Sequence, residues 1–371
     1  MADPPRLAIF LATSGHSGVD RVMTNLIGEF ARRGVSIDLV QIANHGPFFA
    51  TLPAGVRRID LGTAHVASSF GPLARYLRRE RPAALLTDKD RLNRMALWAR
   101  RLTGVPTRVA VRVGTTVSEN LARRGWLQRR LQYASIRLFY PWADAILVPS
   151  QGVAEDLARA GRLDPRRISV VPSPIAGERL RAQAAEPASH PWFDDRGVPV
   201  VLGVGELCAR KDFATLIRAF ARLRGERPCR LIILGEGRQR PQLESLVREL
   251  GIDRDVALPG FVPNPYADMA RAALFVLSSR CEGAPVVLME ALAVGVPVVA
   301  TDCPSGPREI LRDGTVGALA PIGDDAALAR SMAATLAHPP AAAELRAAAA
   351  PFSVAASARA YAAALGLELP A

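Results

Sequence analysis

Short apolar runs alternate with stretches of helical period along the chain, the pattern that a parallel sheet covered on both faces requires. The first run spans 7–11 and leads into a loop of small residues, Thr13-Ser14-Gly15-His16-Ser17-Gly18. Val22, Leu26, Ile27 and Phe30 then keep helical spacing as far as Arg33, with Gly34 as a stop signal. Further strands are predicted at 36–42, 83–87, 107–113, 145–148 and 168–171. Between 173 and 199 the chain is rich in proline, alanine and polar residues and keeps no period, which reads as a connection between domains. A second series opens at 200–204, continues with a helix marked by Phe213, Leu216, Ile217, Phe220 and Leu223, and adds strands at 231–234, 256–258, 274–277 and 297–301. Each series opens with a strand, a small-residue loop and a helix. The expected fold class is therefore α/β, with two facing Rossmann-like domains, parallel sheets and a cleft between them. The domains are expected at 1–183 and 184–351, with an Ala-rich helix at 352–368 bracing the first.

The length of 371 residues allows two cores, and a composition 49% hydrophobic and 22% charged excludes global disorder. No uncharged apolar run reaches the ~18 residues of a spanning helix. The longest, 286–300, is broken by Glu290. The N-terminus does not read as a secretory signal, and Cys208, Cys229, Cys281 and Cys303 match no zinc or redox spacing. A cytoplasmic protein with reduced thiols is expected.

Charge changes the picture more. Residues 1–182 hold 28 Arg and Lys against 14 Asp and Glu, whereas the rest hold 19 against 21. The whole excess of +12 thus comes from the first half. No nucleic-acid recognition signature accompanies it. The basic pairs Arg78–Arg79, Arg100–Arg101, Arg123–Arg124 and Arg129–Arg130 recur on predicted helices around Trp126, Tyr133 and Phe139. They suit an anionic membrane surface, or equally a solvated arginine face.

The densest chemistry lies in Ser278-Ser279-Arg280-Cys281-Glu282-Gly283-Ala284-Pro285-Val286-Val287-Leu288-Met289-Glu290. A strand ends, a small-residue turn follows, and Pro285 is placed at the first position of a helix. The amides of Gly283, Ala284, Val286 and Val287 would open towards a phosphate. Glu282 in the turn and Glu290 on the helix could reach one ligand from two directions, one suited to a ribose diol and the other to sugar hydroxyls. Lys211 is one of two lysines beside 45 arginines and opens a helix after a strand.

The two glutamates with seven residues between them, inside EGAPVVLMEALAVGVPVVATD, resemble the EX7E motif of the retaining GT-B glycosyltransferases of family 4. The resemblance continues through GVGELCARKDF at 203–213, LGEGRQR at 234–240, LPGFVPNP at 258–265 and DCPSGPREIL at 302–311, and more weakly through the first glycine loop. It implies a GT-B fold with the nucleotide-sugar donor on the C-terminal domain and the acceptor on the N-terminal one. It also implies a metal-independent hexosyl transfer to an acceptor hydroxyl, in bacterial cell-surface polysaccharide, lipopolysaccharide or glycolipid synthesis. Glu282 would contact the donor sugar, Glu290 the ribose and Lys211 the diphosphate, with Arg210 as a second cation. Where the family often has GRL, this chain has Gly205-Glu206-Leu207, so Glu206 replaces a frequent phosphate-binding arginine; either Arg210 compensates, or Glu206 contacts something else, such as a donor hydroxyl. Gly15, His16, Gly18 and Arg112 are the candidates for the acceptor side, and Asp88 and Lys89 could line it too. His16 is the one cleft histidine, since none follows the strand at 107–113.

No metal and no cofactor is expected. The triplets Asp88-Lys89-Asp90 and Asp253-Arg254-Asp255 place a cation between their carboxylates, and the family generally works without a catalytic metal. Expected partners are a nucleotide sugar, a glycan or lipid-linked glycan acceptor and an anionic membrane surface on the cytoplasmic side, but no nucleic acid. A nucleotide-sugar epimerase, or a non-catalytic GT-B subunit that binds nucleotide sugar, stays open beside this reading. A nicotinamide dehydrogenase is disfavoured, because Gly15 and Gly18 alone do not make a GxGxxG fingerprint.

Overall fold

The computed structural model describes residues 6–369 except 16, 48, 50, 123 and 196, so His16 and Arg123 lie outside the described residues. The chain divides into two compact units, Met1–Pro174 with Val354–Ala371, and Ile175–Ser353.

The first unit is built on seven parallel strands: β1 (Leu7–Leu11), β2 (Ile37–Gln41), β3 (Val56–Asp60), β4 (Ala84–Asp88), β5 (Arg108–Arg112), β6 (Ala145–Val148) and β7 (Ile168–Val170). Their order is β3-β2-β1-β4-β5-β6-β7. Strands β1 and β4 are buried along their whole length, β1 as a continuous apolar run and β4 with Thr87 and Asp88 buried at its carboxyl end. Between them the direction of strand succession reverses, and the loops at the carboxyl ends of such neighbours diverge to leave a crevice. The loop after β1 meets the loop after β4 there, where Lys89 Nζ donates to Ala12 O at 3.1 Å.

The helix after β1, Gly18–Arg32, is fixed at its start by a capping box: Ser17 Oγ accepts from Asp20 N, and Asp20 Oδ2 accepts from Ser17 N at 2.8 Å. The same buried Asp20 accepts from Thr13 Oγ1, so one carboxylate holds both ends of the small-residue loop.

The second unit carries six parallel strands: β8 (Val200–Val204), β9 (Arg230–Leu234), β10 (Val256–Gly260), β11 (Leu274–Leu277), β12 (Val298–Thr301) and β13 (Ala318–Ala320). The order β10-β9-β8-β11-β12-β13 puts its reversal between β8 and β11. Phe213, Leu216, Phe220, Leu231, Ile233, Leu274 and Val299 form the middle of its core. Each such side chain contributes roughly 1.5–3 kcal/mol on full burial.

Two expectations need correction. The division falls at 174/175, not at 183/184, and the stretch after it is no loose connection. It contains the helix Glu178–Ala185, and it is bound within the second unit: Asn264 Nδ2 donates to Gln183 O at 2.8 Å, and Ser189 N and Oγ donate to the buried Asp268 at 2.6 and 2.7 Å. The C-terminal helix Val354–Leu365 belongs to the first unit. It is tied there through Tyr361, which accepts from Arg112 Nε at 2.9 Å.

Candidate functional site

The loops after β8 and β11 leave the second sheet at its point of reversal, the place where an open α/β sheet receives ligands. They are stitched together: Arg280 N donates to Arg210 O at 2.8 Å, Ser278 Oγ to Lys211 O at 2.8 Å, and Arg280 Nη1 pairs with Asp212 Oδ2 at 2.8 Å. Glycines let the backbone close up behind them. A Cβ on Gly235 would sit 1.9 Å from Gly205 O, and one on Gly205 3.0 Å from Lys211 Cε. The glycines of LGEGRQR and GVGEL are thus spacers that lay the Lys211 stem against the chain.

The result is a compact charge cluster. Lys211 Nζ, Arg210 Nη1 and Ser279 Oγ all donate to Glu282 Oε1, at 2.7, 2.9 and 2.8 Å. Glu282 and Lys211 are buried. Burial alone would raise the Glu282 carboxyl, but the Lys211 and Arg210 charges and the bonds from Lys211 and Ser279 outweigh it. They hold the carboxyl below its usual range, so Glu282 is ionised at neutral pH. Two cations held by one carboxylate form a site that an incoming dianion can compete for. Next to them, burial followed by the neighbouring Glu282 and Cys281 pushes the Cys303 thiol up to about 12, which leaves it an inert wall.

The helix behind the cluster is Val286–Val294. Pro285 is its N-cap and not its first residue, a shift of one position from expectation. Leu288 and Met289 donate to Pro285 O, and the amides of Val286 and Val287 precede those bonds, as the opening residues of a helix do. Gly283 O accepts from Ser305 Oγ at 2.8 Å, and a Cβ on Gly306 would stand 2.6 Å from Pro285 Cδ. The 305–306 turn therefore braces Gly283, Ala284 and Pro285 from outside. Glu290, one helical turn further in, is buried and accepts from Tyr266 Oη at 2.8 Å. Glu206 is exposed in the loop after β8.

Of the candidates, the structure joins Arg210, Lys211 and Glu282 directly, with Gly283, Ala284, Pro285 and Val286 on the adjoining turn and helix start and Glu290 further along that helix. Ser279 and Tyr266, which hold the two glutamates, were not singled out in the sequence. Serine beside the motif was visible there, but Tyr266 lies 24 residues from its partner and carries no local signal. In the first unit, Gly15 has φ +89° and sits against Gly46, whose Cβ would come within 2.6 Å of Gly15 Cα; Gly18 opens the following helix. Arg112, expected on the acceptor side, is instead closed in. Its Nη1 donates to Asp88 Oδ2 at 2.5 Å and its Nε to Tyr361, because β5 points it into the sheet's cover.

A doubly wound pair of parallel-sheet units with a cationic strand-end crevice defines a class, the GT-B fold. Residues 198–338 match the family described as glycosyl transferases group 1, and residues 17–174 match the glycosyl transferase 4-like domain, which places the chain among the GT-B glycosyltransferases. A relative from Campylobacter jejuni, an N-acetylgalactosamine-N,N'-diacetylbacillosaminyl-diphospho-undecaprenol 4-alpha-N-acetylgalactosaminyltransferase, is 35% identical over 236 residues, covering 64% of this chain and 62% of the relative. The lipopolysaccharide core biosynthesis glycosyltransferase LpsE of Rhizobium meliloti is 32% identical over 216 residues, 57% of this chain and 58% of the other. The chain thus spans less than two thirds of the length of either relative. Anabaena Alr3699/HepE in complex with UDP superposes with a TM-score of 0.79 at 17% identity, over 98% of this chain and 99% of that one, a likeness of fold. Among the described residues, no helix is long and apolar enough to cross a membrane.

Proposed function

We propose that this chain is a retaining glycosyltransferase that moves a hexosyl group from a nucleoside-diphosphate sugar to an acceptor hydroxyl in cell-surface glycan synthesis. The observation that carries the reading is the convergence of Lys211 and Arg210 on Glu282 beside the start of the helix Val286–Val294. Departure of a nucleoside diphosphate builds negative charge on a phosphate oxygen, and fixed cations and helix-start amides stabilise that charge where it develops. In this reading the diphosphate draws Lys211 and Arg210 onto its oxygens. Glu282 takes hydroxyls of the transferred sugar, and Glu290, steadied by Tyr266, takes the ribose diol. The acceptor oxygen bonds to the anomeric carbon on the face the diphosphate leaves, and its proton passes to a leaving phosphate oxygen. The relatives' names, which speak of lipopolysaccharide core and of a diphospho-undecaprenol acceptor, support a surface-glycan acceptor.

The reading is tested by melting the protein in the presence of UDP, GDP, ADP and dTDP and their common sugars, with and without EDTA. One base series at ~100 times its Kd should raise the melting temperature by about 5 °C or more, unaffected by EDTA. No shift with any nucleotide overturns the donor assignment, a shift abolished by EDTA overturns metal independence, and conversion of a bound sugar without acceptor makes the chain an epimerase. A second expectation concerns Tyr266→Phe, which removes the donor to Glu290 and nothing else of bulk. It should raise the donor KM by roughly 3–10-fold with kcat within about twofold, the split left when a binding contact loses its support. An unchanged KM would detach Glu290 from donor binding.

A further inference from the structure

The helix Trp126–Phe139 of the first unit is amphipathic in an unusual sense, because its apolar stripe faces solvent. Leu127, Leu131, Ala134 and Leu138 recur at the i, i+4, i+7, i+11 spacing of one helix face, and all are exposed. The leucines are 55%, 62% and 58% accessible, and Trp126 beside them 68%. The residue that faces the core is Ile136, on the opposite side. Arg130 and Arg137 flank the stripe, and the Arg130 guanidinium lies 5.8 Å over the Trp126 ring. The face continues onto the neighbouring helix Asp90–Thr103 through Trp98, whose ring is 6.1 Å from that of Phe139, and on to the exposed Arg101 and Leu102.

We propose that this face is a docking surface for an anionic lipid membrane, with the helix Trp126–Phe139 lying in the plane of the headgroups. Three observations choose this occupant. First, the charge around the stripe has one sign. Residues 120–143 contain five arginines, Arg124, Arg129, Arg130 and Arg137 among them, and no Asp or Glu, so the face complements anionic headgroups. Second, the distribution is that of an interfacial helix, in which leucines enter the acyl boundary, tryptophans sit at headgroup depth and arginines reach back to the phosphates over their aliphatic stems. Fourteen residues with three arginines among them cannot span the bilayer. Third, a second copy of the chain packed on the same patch by two-fold symmetry would bring arginine against arginine. The surface is independent of the donor site and does not rest on the glycosyl-transfer reading.

The test is co-sedimentation of the full chain with phosphatidylcholine vesicles and with vesicles of phosphatidylcholine mixed with phosphatidylglycerol, at low and high salt. Binding to the mixed vesicles should exceed binding to the neutral ones by at least about tenfold and fall as salt is raised. Leu131→Glu with Leu138→Glu should abolish it. Arg130→Ala with Arg137→Ala should weaken it by roughly tenfold or more. Both pairs are exposed, so the melting temperature should stay put and loss of binding can be separated from loss of fold. Equal binding to neutral vesicles, no binding to either kind, or unchanged binding by both variants overturns the proposal. So does concentration-dependent self-association in sedimentation velocity that Leu131→Glu removes while vesicles are ignored, which would give the face to a second copy.

Discussion

Lys211→Ala is expected to lower turnover of the nucleotide sugar about 10²–10³-fold and to weaken nucleoside-diphosphate binding at the same time. Lys211 is buried with its ammonium 2.7 Å from Glu282, and it is held at the end of β8 by loops that its removal leaves in place. The loss should therefore appear in the chemistry and only modestly in stability. Glu282 keeps Arg210 and Ser279 as donors, so the expected destabilisation is about 1–3 kcal/mol. Glu282→Gln is the informative companion. It removes the carboxylate that competes with phosphate for both cations, so diphosphate binding should hold or tighten while turnover falls about 10²-fold. Turnover at saturating donor then falls in both variants, whereas binding by calorimetry separates them, weakened in Lys211→Ala and held or tightened in Glu282→Gln. If both variants weaken binding and turnover alike, or if either turns over normally, the roles given to Lys211 and Glu282 are wrong. The pH dependence follows from the same cluster. The Glu282 carboxyl is held below its unfolded value, so the stability it contributes is fully present above that value and is lost as pH falls through the depressed one. The pairs of Glu282 with Lys211 and Arg210 should therefore hold through the ordinary carboxyl range and be released only in acid below it.

The distinction between what the chain reveals locally and what only packing creates runs through the whole molecule. Strands 7–11, 145–148, 200–204 and 274–277 coincide with β1, β6, β8 and β11, because each is a run without a polar side chain inside a covered sheet. Strand β3 was not anticipated: Val56-Arg57-Arg58-Ile59-Asp60 lies at the sheet edge with three exposed positions and presents no apolar run. Strand β13, three residues of Ala-Leu-Ala, is too short for any period to register. The helix Glu178–Ala185 was hidden for a different reason, since Leu180 is its one buried side chain and Asn264, which bonds Gln183, lies far along the chain. The site divides the same way. Glu282, Glu290 and Lys211 could be read from spacing and from the rarity of lysine, whereas Tyr266 and the triple hydrogen bond on Glu282 Oε1 exist only once β8 and β11 lie side by side.

Arg112 shows what a charged residue at a strand end does when the fold closes over it, and its removal should be the most costly single change in the first unit. The side chain is 4% exposed at the end of β5, paired with Asp88 at the end of β4 and bonded to Tyr361 on the C-terminal helix. One guanidinium thus joins two strands to a helix from the far end of the chain. Burial disfavours its charge, but Tyr361 and Asp88 hold the proton more firmly than usual. Arg112→Met keeps much of the stem and removes the fork, leaving the Asp88 carboxylate buried without its cation, with a bond from Lys89 N as its remaining partner. Breaking a buried pair from one side costs about 3–5 kcal/mol. Tyr361→Phe should cost less, roughly 1.5–3 kcal/mol, because it takes one acceptor from a charged donor and leaves the Asp88 pair intact. In urea denaturation the order of midpoints should be wild type, then Tyr361→Phe, then Arg112→Met. The double variant should lose less than the sum, since both changes remove the same bond. Limited proteolysis gives the independent reading: if the Arg112–Tyr361 bond is what fastens the helix Val354–Leu365 to the first unit, both variants should be clipped near 353 sooner than wild type. Midpoints unmoved by Arg112→Met would mean that the helix is held by the packing of Ala358, Tyr361, Ala362 and Leu365 alone.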